Sequence, residues 1–192
     1  MKSAVNQIMK TKIKFILYAI IAIFAIFIIV KLFLIENAKN AKYLSVGEIA
    51  PNYAFQLSNG TITSIYNYRG KTTLLWFVVT WCSSCAEGNS VLANNIAFFE
   101  KHNITIIELE QYDDLGQNGM PISKFVSIYG NNNTYVQTGI ASYNMTIAYN
   151  TPPNFQLDIY YLINPSGKIL YIGEGLAEGI STLENIITEN KL

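Results

Sequence analysis

Cysteine, histidine and surplus charge are what this 192-residue sequence has least of: two Cys, one His, and thirteen Lys and Arg against thirteen Asp and Glu. Two cysteines cannot build a disulfide scaffold. With a single His beside them, they also leave too few ligands for a structural zinc site. Five prolines and twelve glycines without a tripeptide period exclude a collagen-like or low-complexity chain. The missing basic surplus excludes another class. Residues 43–192 carry six basic and twelve acidic side chains, a formal charge of −6, which argues against nucleic acid as the partner.

Apolar residues are plentiful, at 51%, and much of the excess lies in one run. From Phe15 to Ile35 every residue except Tyr18 and Lys31 is apolar, and as a helix this run would be about 31 Å long, enough to span a bilayer core once. Lys31 sits about one turn from the end, where its stem can reach the interface. The run exceeds the usual apolar core of a secretory signal, and Glu36-Asn37-Ala38-Lys39 after it offers no clean cleavage site. An uncleaved signal-anchor follows. Lys2, Lys10, Lys12 and Lys14 precede the span, against Lys31, Lys39 and Lys42 at and beyond its end, so the positive-inside rule puts the N-terminus in the cytoplasm and the domain outside. The organisation expected is a short cytoplasmic segment (1–14), a transmembrane helix in the lipid bilayer (15–35), a polar linker (36–45) and an extracytoplasmic domain (46–192).

In the domain, Tyr53–Leu57 and Thr61–Ile65 alternate about Ser58-Asn59-Gly60, which reads as a β-hairpin. Thr72–Val79 is almost continuously apolar, as a strand buried on both faces should be. Ser83–Phe99 has helical spacing and Ile104–Glu110 reads as the next strand, so the three make a βαβ crossover. A helix is expected from 121 or 122 to Tyr129, then a loose Asn/Gly/Thr-rich region around 130–138. Asp158–Ile163 and Lys168–Ile172 form strands joined by a turn at Asn164-Pro165-Ser166-Gly167, and a helix through Ile180, Leu183, Ile186 and Ile187 closes the chain. The class is α/β with a mixed sheet.

Both cysteines lie in Trp81-Cys82-Ser83-Ser84-Cys85, directly after the buried strand and at the start of a helix. Unpaired N–H groups and the positive end of the helix dipole favour a thiolate at Cys82. Cys85, three residues on, lies within disulfide range and can resolve a mixed disulfide formed by Cys82. Trp81 packs at the rim.

In these residues the chain resembles the thioredoxin superfamily, and within it the membrane-anchored thiol–disulfide oxidoreductases of the TlpA/ResA type. The residues that carry the resemblance are Val46-Gly47 with Ala50-Pro51, Phe55 and Leu57, Asn59-Gly60, Arg69-Gly70-Lys71, Leu74–Val79, Thr80-Trp81-Cys82 with Cys85, Leu92, and Tyr161–Lys168. It implies a thioredoxin-like fold with an N-terminal β-hairpin extension, Cys82 as nucleophile, Cys85 as resolving thiol, and no cofactor. The partners it implies are exported protein thiols and disulfides, and a membrane or extracytoplasmic redox partner that recharges the dithiol.

Some positions depart from the pattern. Relatives often carry Glu three residues after the second Cys, where this chain has Gly88, and cytosolic thioredoxins hold a buried Asp six residues before the first Cys, where it has Trp76. Glu87 lies about 100° round the helix from that site. No proton acceptor is evident. Family spacing for the cis-proline that faces the dithiol lands on Asp158, with Pro152-Pro153 shortly before. Either Pro153 is that proline or Asp158 neighbours the cysteines, and Pro153 is preferred because an X-Pro cis bond costs little. The rival function is a copper-handling protein of the same fold, with Cys82 and Cys85 as Cu(I) ligands. Such relatives usually space the cysteines by three residues and add a later His, whereas His102 here falls at the far end of the helix.

Overall fold

The computed structural model describes Tyr18, residues 20–31, 43–152 and 155–192. Residues 20–31 are helical and exposed along their whole length. Among the described residues no helix is long and apolar enough to cross a membrane. Most of the rest of the expected 15–35 span lies outside the described residues.

Residues 43–192 belong to a separate compact unit with seven strands and four helices: β1 (Ala54–Leu57), β2 (Ile62–Ser64), β3 (Thr73–Val78), α1 (Ser83–Lys101), β4 (Thr105–Glu110), α2 (Ile122–Tyr129), β5 (Gln137–Ala141), α3 (Tyr143–Tyr149), β6 (Ile159–Ile163), β7 (Ile169–Glu174) and α4 (Leu176–Glu189). They form one sheet in the order β2-β1-β5-β4-β3-β6-β7. β3, β4 and β5 run parallel, and the remaining neighbours pair antiparallel. β3 is central and all six of its residues are buried, because helices cover both faces there.

Alternation divides the core. Leu74, Trp76 and Val78 of β3 join Ile106, Tyr160 and Leu162 beneath α1, α2 and α4, while Leu75 and Phe77 join Ile107, Leu109 and Tyr161 against α3 and the N-terminal hairpin. Tyr160 and Tyr161 therefore point to opposite faces and both are buried, at 1% and 2% exposure. Register places Tyr160, Trp76, Glu108 and Thr138 side by side across β6, β3, β4 and β5.

The hairpin, the crossover, α2 and the closing strands fall where the sequence pattern puts them. The region expected to be loose is turn and bend up to Val136 and passes at Gln137 into β5, which fills the sheet between β1 and β4; α3 follows, capped by the Ser142 hydroxyl accepting from the Met145 N–H at 3.3 Å.

Candidate active site

The dithiol sits where the central strand β3 hands over to α1. Cys82 is the N-cap of α1, with extended backbone, and its sulfur accepts the Cys85 backbone N–H at 3.3 Å. The Ser84 hydroxyl lies 3.0 Å from the same sulfur. Cys82 thus takes the place of the side-chain oxygen that normally caps a helix, and it faces the positive end of the helix dipole. Cys85 stands differently. It is fully buried, whereas Cys82 keeps 6% of its surface exposed, and its S–H donates to the Leu157 carbonyl at 3.2 Å. Burial first, and the hydrogen bond to Cys82 second, push the Cys85 thiol far above its ordinary value, with the Asp158 charge adding to the rise. One sulfur is placed to react and the other to wait as a thiol.

Leu157 is held by amides. The buried Gln111 side chain donates to the carbonyls of Gln156 at 2.8 Å and Leu157 at 3.3 Å, and Asn150 donates to the Gln111 carbonyl oxygen and to Gln156. These bonds fix the backbone that meets Cys85.

Beneath the dithiol lies a tryptophan at the position where cytosolic thioredoxins hold a buried Asp. The Trp76 indole N–H donates to Asp158 at 2.6 Å, and the Leu176 N–H lies 3.3 Å from both Asp158 oxygens. Asp158 is 5% exposed, and burial raises its pKa against the opposing effect of the Trp76 and Leu176 donors. Gly88 explains how the indole fits, since a Cβ there would stand 2.9 Å from Trp76 Cζ2 and 3.4 Å from Leu176 Cβ. The two departures from the family pattern, Trp76 and Gly88, are one steric exchange.

A second carboxyl lies on the same face. Glu108 of β4 is fully buried; its Oε1 accepts from Asn89 Nδ2 at 2.7 Å, and its Oε2 has no hydrogen-bond partner. The same Asn89 nitrogen donates to the Cys85 carbonyl at 3.2 Å. Burial, and secondarily the Asp158 charge, push Glu108 up to about 8, with the Asn89 bond opposing. No proton acceptor is evident at the positions compared in the sequence; the structure puts the buried Asp158 carboxyl near Cys85 and leaves Glu108 as a second buried carboxyl on the same face. Glu87 is exposed.

Above the dithiol, residues 113–116 form a left-handed turn, with φ of 52°, 46°, 58° and 80° at Asp113, Asp114, Leu115 and Gly116. Left-handed backbone costs about 1–2 kcal/mol at each non-glycine position. The turn delivers Asp114, which accepts the Thr80 N–H at 2.8 Å and the Thr80 hydroxyl at 2.6 Å, while the Asp114 carbonyl accepts the Trp81 indole N–H at 2.9 Å. Charge-assisted bonds of this kind offset the strain and brace the two residues before Cys82. Trp81 stays 41% exposed. Beside the turn, a cavity of about 340 Å³ is lined by Tyr112, Leu115, Tyr143, Thr146, Pro152 and Phe155.

Of the residues singled out in the sequence, Trp81, Cys82, Cys85 and Asp158 come together here, and Pro153 lies outside the described residues. His102 caps the far end of α1, its ring 4.3 Å from that of Phe98. Among the described residues no group of three or more His, Cys, Asp or Glu could hold a metal ion. Sequence reasoning missed Asn89, Glu108 and Asp114. Glu108 carried a signal, because a charged residue on a strand within a βαβ crossover is covered from both faces.

Sheet order, crossover and the CxxC at the start of α1 together decide the fold. It is thioredoxin-like. This thioredoxin-like chain is similar to the thiol–disulfide oxidoreductase ResA of Bacillus subtilis, 27% identical over 132 residues, which cover 69% of each protein. The thioredoxin domain of a thiol–disulfide oxidoreductase from Bacteroides vulgatus superposes with a TM-score of 0.54 at 19% identity, over 74% of this chain and 99% of that one. Arabidopsis thaliana ScoI with copper bound superposes with a TM-score of 0.55 at 13% identity, over 74% and 99%. No protein-family model matches the chain.

Proposed function

We propose that the chain is a membrane-anchored thiol–disulfide oxidoreductase that exchanges disulfides with exported proteins through Cys82 and Cys85. The observation that carries this reading is the inequality of the two sulfurs: Cys82 caps a helix and accepts an N–H at 3.3 Å, whereas Cys85 is fully buried as a thiol. In the reducing direction the Cys82 thiolate attacks one sulfur of a substrate disulfide. That S–S bond breaks, one substrate thiolate leaves and a mixed disulfide remains. Cys85 then loses its proton to the Asp158 carboxylate and attacks the Cys82 sulfur. The mixed disulfide breaks, the second substrate thiolate leaves, and the dithiol has given two electrons. The oxidising direction runs the same steps backwards.

The anchor is the run of residues 15–35, with the N-terminus cytoplasmic and the domain outside, as the lysine distribution favours. Recharging falls to a redox partner reached at the membrane or outside it. Copper handling by the same sulfur pair is the rival reading, and the copper-bound neighbour of like fold gives it some weight.

Replacing Cys85 by Ser tests the proposal. The C85S protein, incubated with a protein disulfide, is expected to accumulate a mixed disulfide through Cys82, visible on a non-reducing gel and dispersed by dithiothreitol. Wild-type protein turns over without accumulating it. Tight one-to-one Cu(I) binding by the wild type, with no trapped adduct in C85S, would replace this reading by the copper one.

A further inference from the structure

The mechanism leaves a buried carboxyl behind the dithiol unused. Glu108 has no exposed surface and sits on the sheet face beneath α1, in register with Trp76 on one side and Thr138 on the other. The groups that face it are Asn89 from α1 and Asp158 from the segment before β6, whose charge it feels. Asp158 in turn acts on Cys85 and is itself acted on by Glu178 of α4. Every ionisable member of this set is an acid or a thiol.

Glu108, Asp158 and Cys85, with no cation among the groups that face them here, cannot all ionise in one buried site. The hydrogen bonds sort them. Asp158 receives an indole N–H and a backbone N–H, donors that suit a carboxylate. Glu108 receives only the Asn89 amide, and its Oε2 is bare. A bare oxygen costs far less on a neutral acid than on an anion. Cys85 holds its proton toward the Leu157 carbonyl.

We propose that Glu108 is a positioning residue for the resolving step: held as a neutral acid, it keeps the buried site behind the dithiol at a single negative charge. When Cys85 gives its proton to Asp158, the charge moves from carboxylate to sulfur and the number of buried charges stays at one. With Glu108 ionised, the same transfer would have to occur beside a second negative charge, and the thiolate would form less readily. The inference rests on the oxidoreductase reading above and adds a pH limit to it. Burial pushes Glu108 up to about 8, so the limit falls in the mildly alkaline range.

The test uses the full chain in detergent micelles, with exchange toward a model protein disulfide followed from pH 6 to 9.5. Wild type is expected to lose rate above pH 8, and Glu108→Gln, which mimics the neutral acid and cannot ionise, is expected to keep its rate there while staying within about twofold of wild type at pH 7. A decline that persists unchanged in E108Q, or a wild-type profile with no decline, overturns the proposal. Infrared difference spectroscopy of wild type against E108Q supplies a second reading, specific to the Glu108 carboxyl. A protonated-carboxyl band present at pH 7 and lost on raising the pH through 8 supports it, and absence of that band at pH 7 overturns it. A wild type that exchanges no disulfides at any pH would instead refute the oxidoreductase reading.

Discussion

Glu108 should make the stability of the folded protein fall as the pH rises, and the size of the effect follows from its surroundings. In the unfolded chain a glutamate titrates near 4.5, whereas in the fold burial pushes Glu108 up to about 8. The folded state therefore holds this proton more tightly. Stability from this source is complete below pH 4.5 and is lost progressively as the pH rises through 8. Each tenfold change in proton concentration is worth about 1.4 kcal/mol. The loss is about 3 kcal/mol by pH 7 and about 4 kcal/mol by pH 8, a large share of the roughly 5–15 kcal/mol that holds a domain together. Glutamine at this position carries no titrating proton, so E108Q should gain on wild type by these amounts between pH 4.5 and 8. Asp158 shifts in the same direction, but it is present in both proteins and largely cancels in the difference. Urea unfolding of reduced wild type and E108Q, followed by far-ultraviolet circular dichroism at constant ionic strength, measures the gap. A gap that stays flat from pH 4.5 to 8 would refute the reasoning, because only a group with different proton affinity in the two states makes it grow.

Two further outcomes follow from contacts around the dithiol. Gly88→Ala gains up to about 1 kcal/mol of helix propensity but drives a methyl to 2.9 Å from the Trp76 ring, an overpacking that costs about 1–3 kcal/mol. Thermal unfolding should show a net loss of about 1 kcal/mol, and in the double variant with Trp76→Phe the losses should be less than additive because the clash is relieved; a stabilised single variant would contradict it. Asp114→Ala removes both bonds to Thr80 and should lower stability by about 2–3 kcal/mol in the same assay, with Asp114→Asn losing less. An Asp114→Asn variant as stable as wild type would show that the carboxylate charge is not what braces the turn.

Long periodic segments were readable from the residues alone. The all-apolar β3 and the helix after it, with Cys82 as its cap, declare themselves because burial on two faces and helical spacing leave unmistakable patterns. β5 and α3 did not. Gln137–Ala141 carries a glycine, and only two of its five residues are buried, so it has neither alternation nor a solid apolar run. α3 is seven residues long, too short to display a period. Around the dithiol, Cys82, Cys85 and Asp158 could be named in advance because each lies near the motif or at a spacing from it. Glu108 sits between Ile107 and Leu109 in an alternation that a half-exposed strand would share, and only its place in the crossover argues for burial. Its burial is decided by α1 packing over β4, and Asp114 reaches Thr80 only through a left-handed turn that no local pattern announces. Trp76 and Gly88 looked like two unrelated departures until their side chains were seen to share one space.

The chain has two tryptophans, and they bracket the dithiol. Trp76 is shielded from solvent and bonded to Asp158; Trp81 is 41% exposed and bonded to the Asp114 carbonyl. The protein thus carries two optical reporters without any label. An aqueous quencher reaches the indole at the rim and spares the one beneath the sulfurs, so the two emissions can be separated. The shielded indole senses the charge on Asp158, and the exposed one senses whatever approaches Cys82. A single stopped-flow fluorescence record, taken with and without quencher, can therefore time the arrival of a partner and the movement of the buried proton as distinct events.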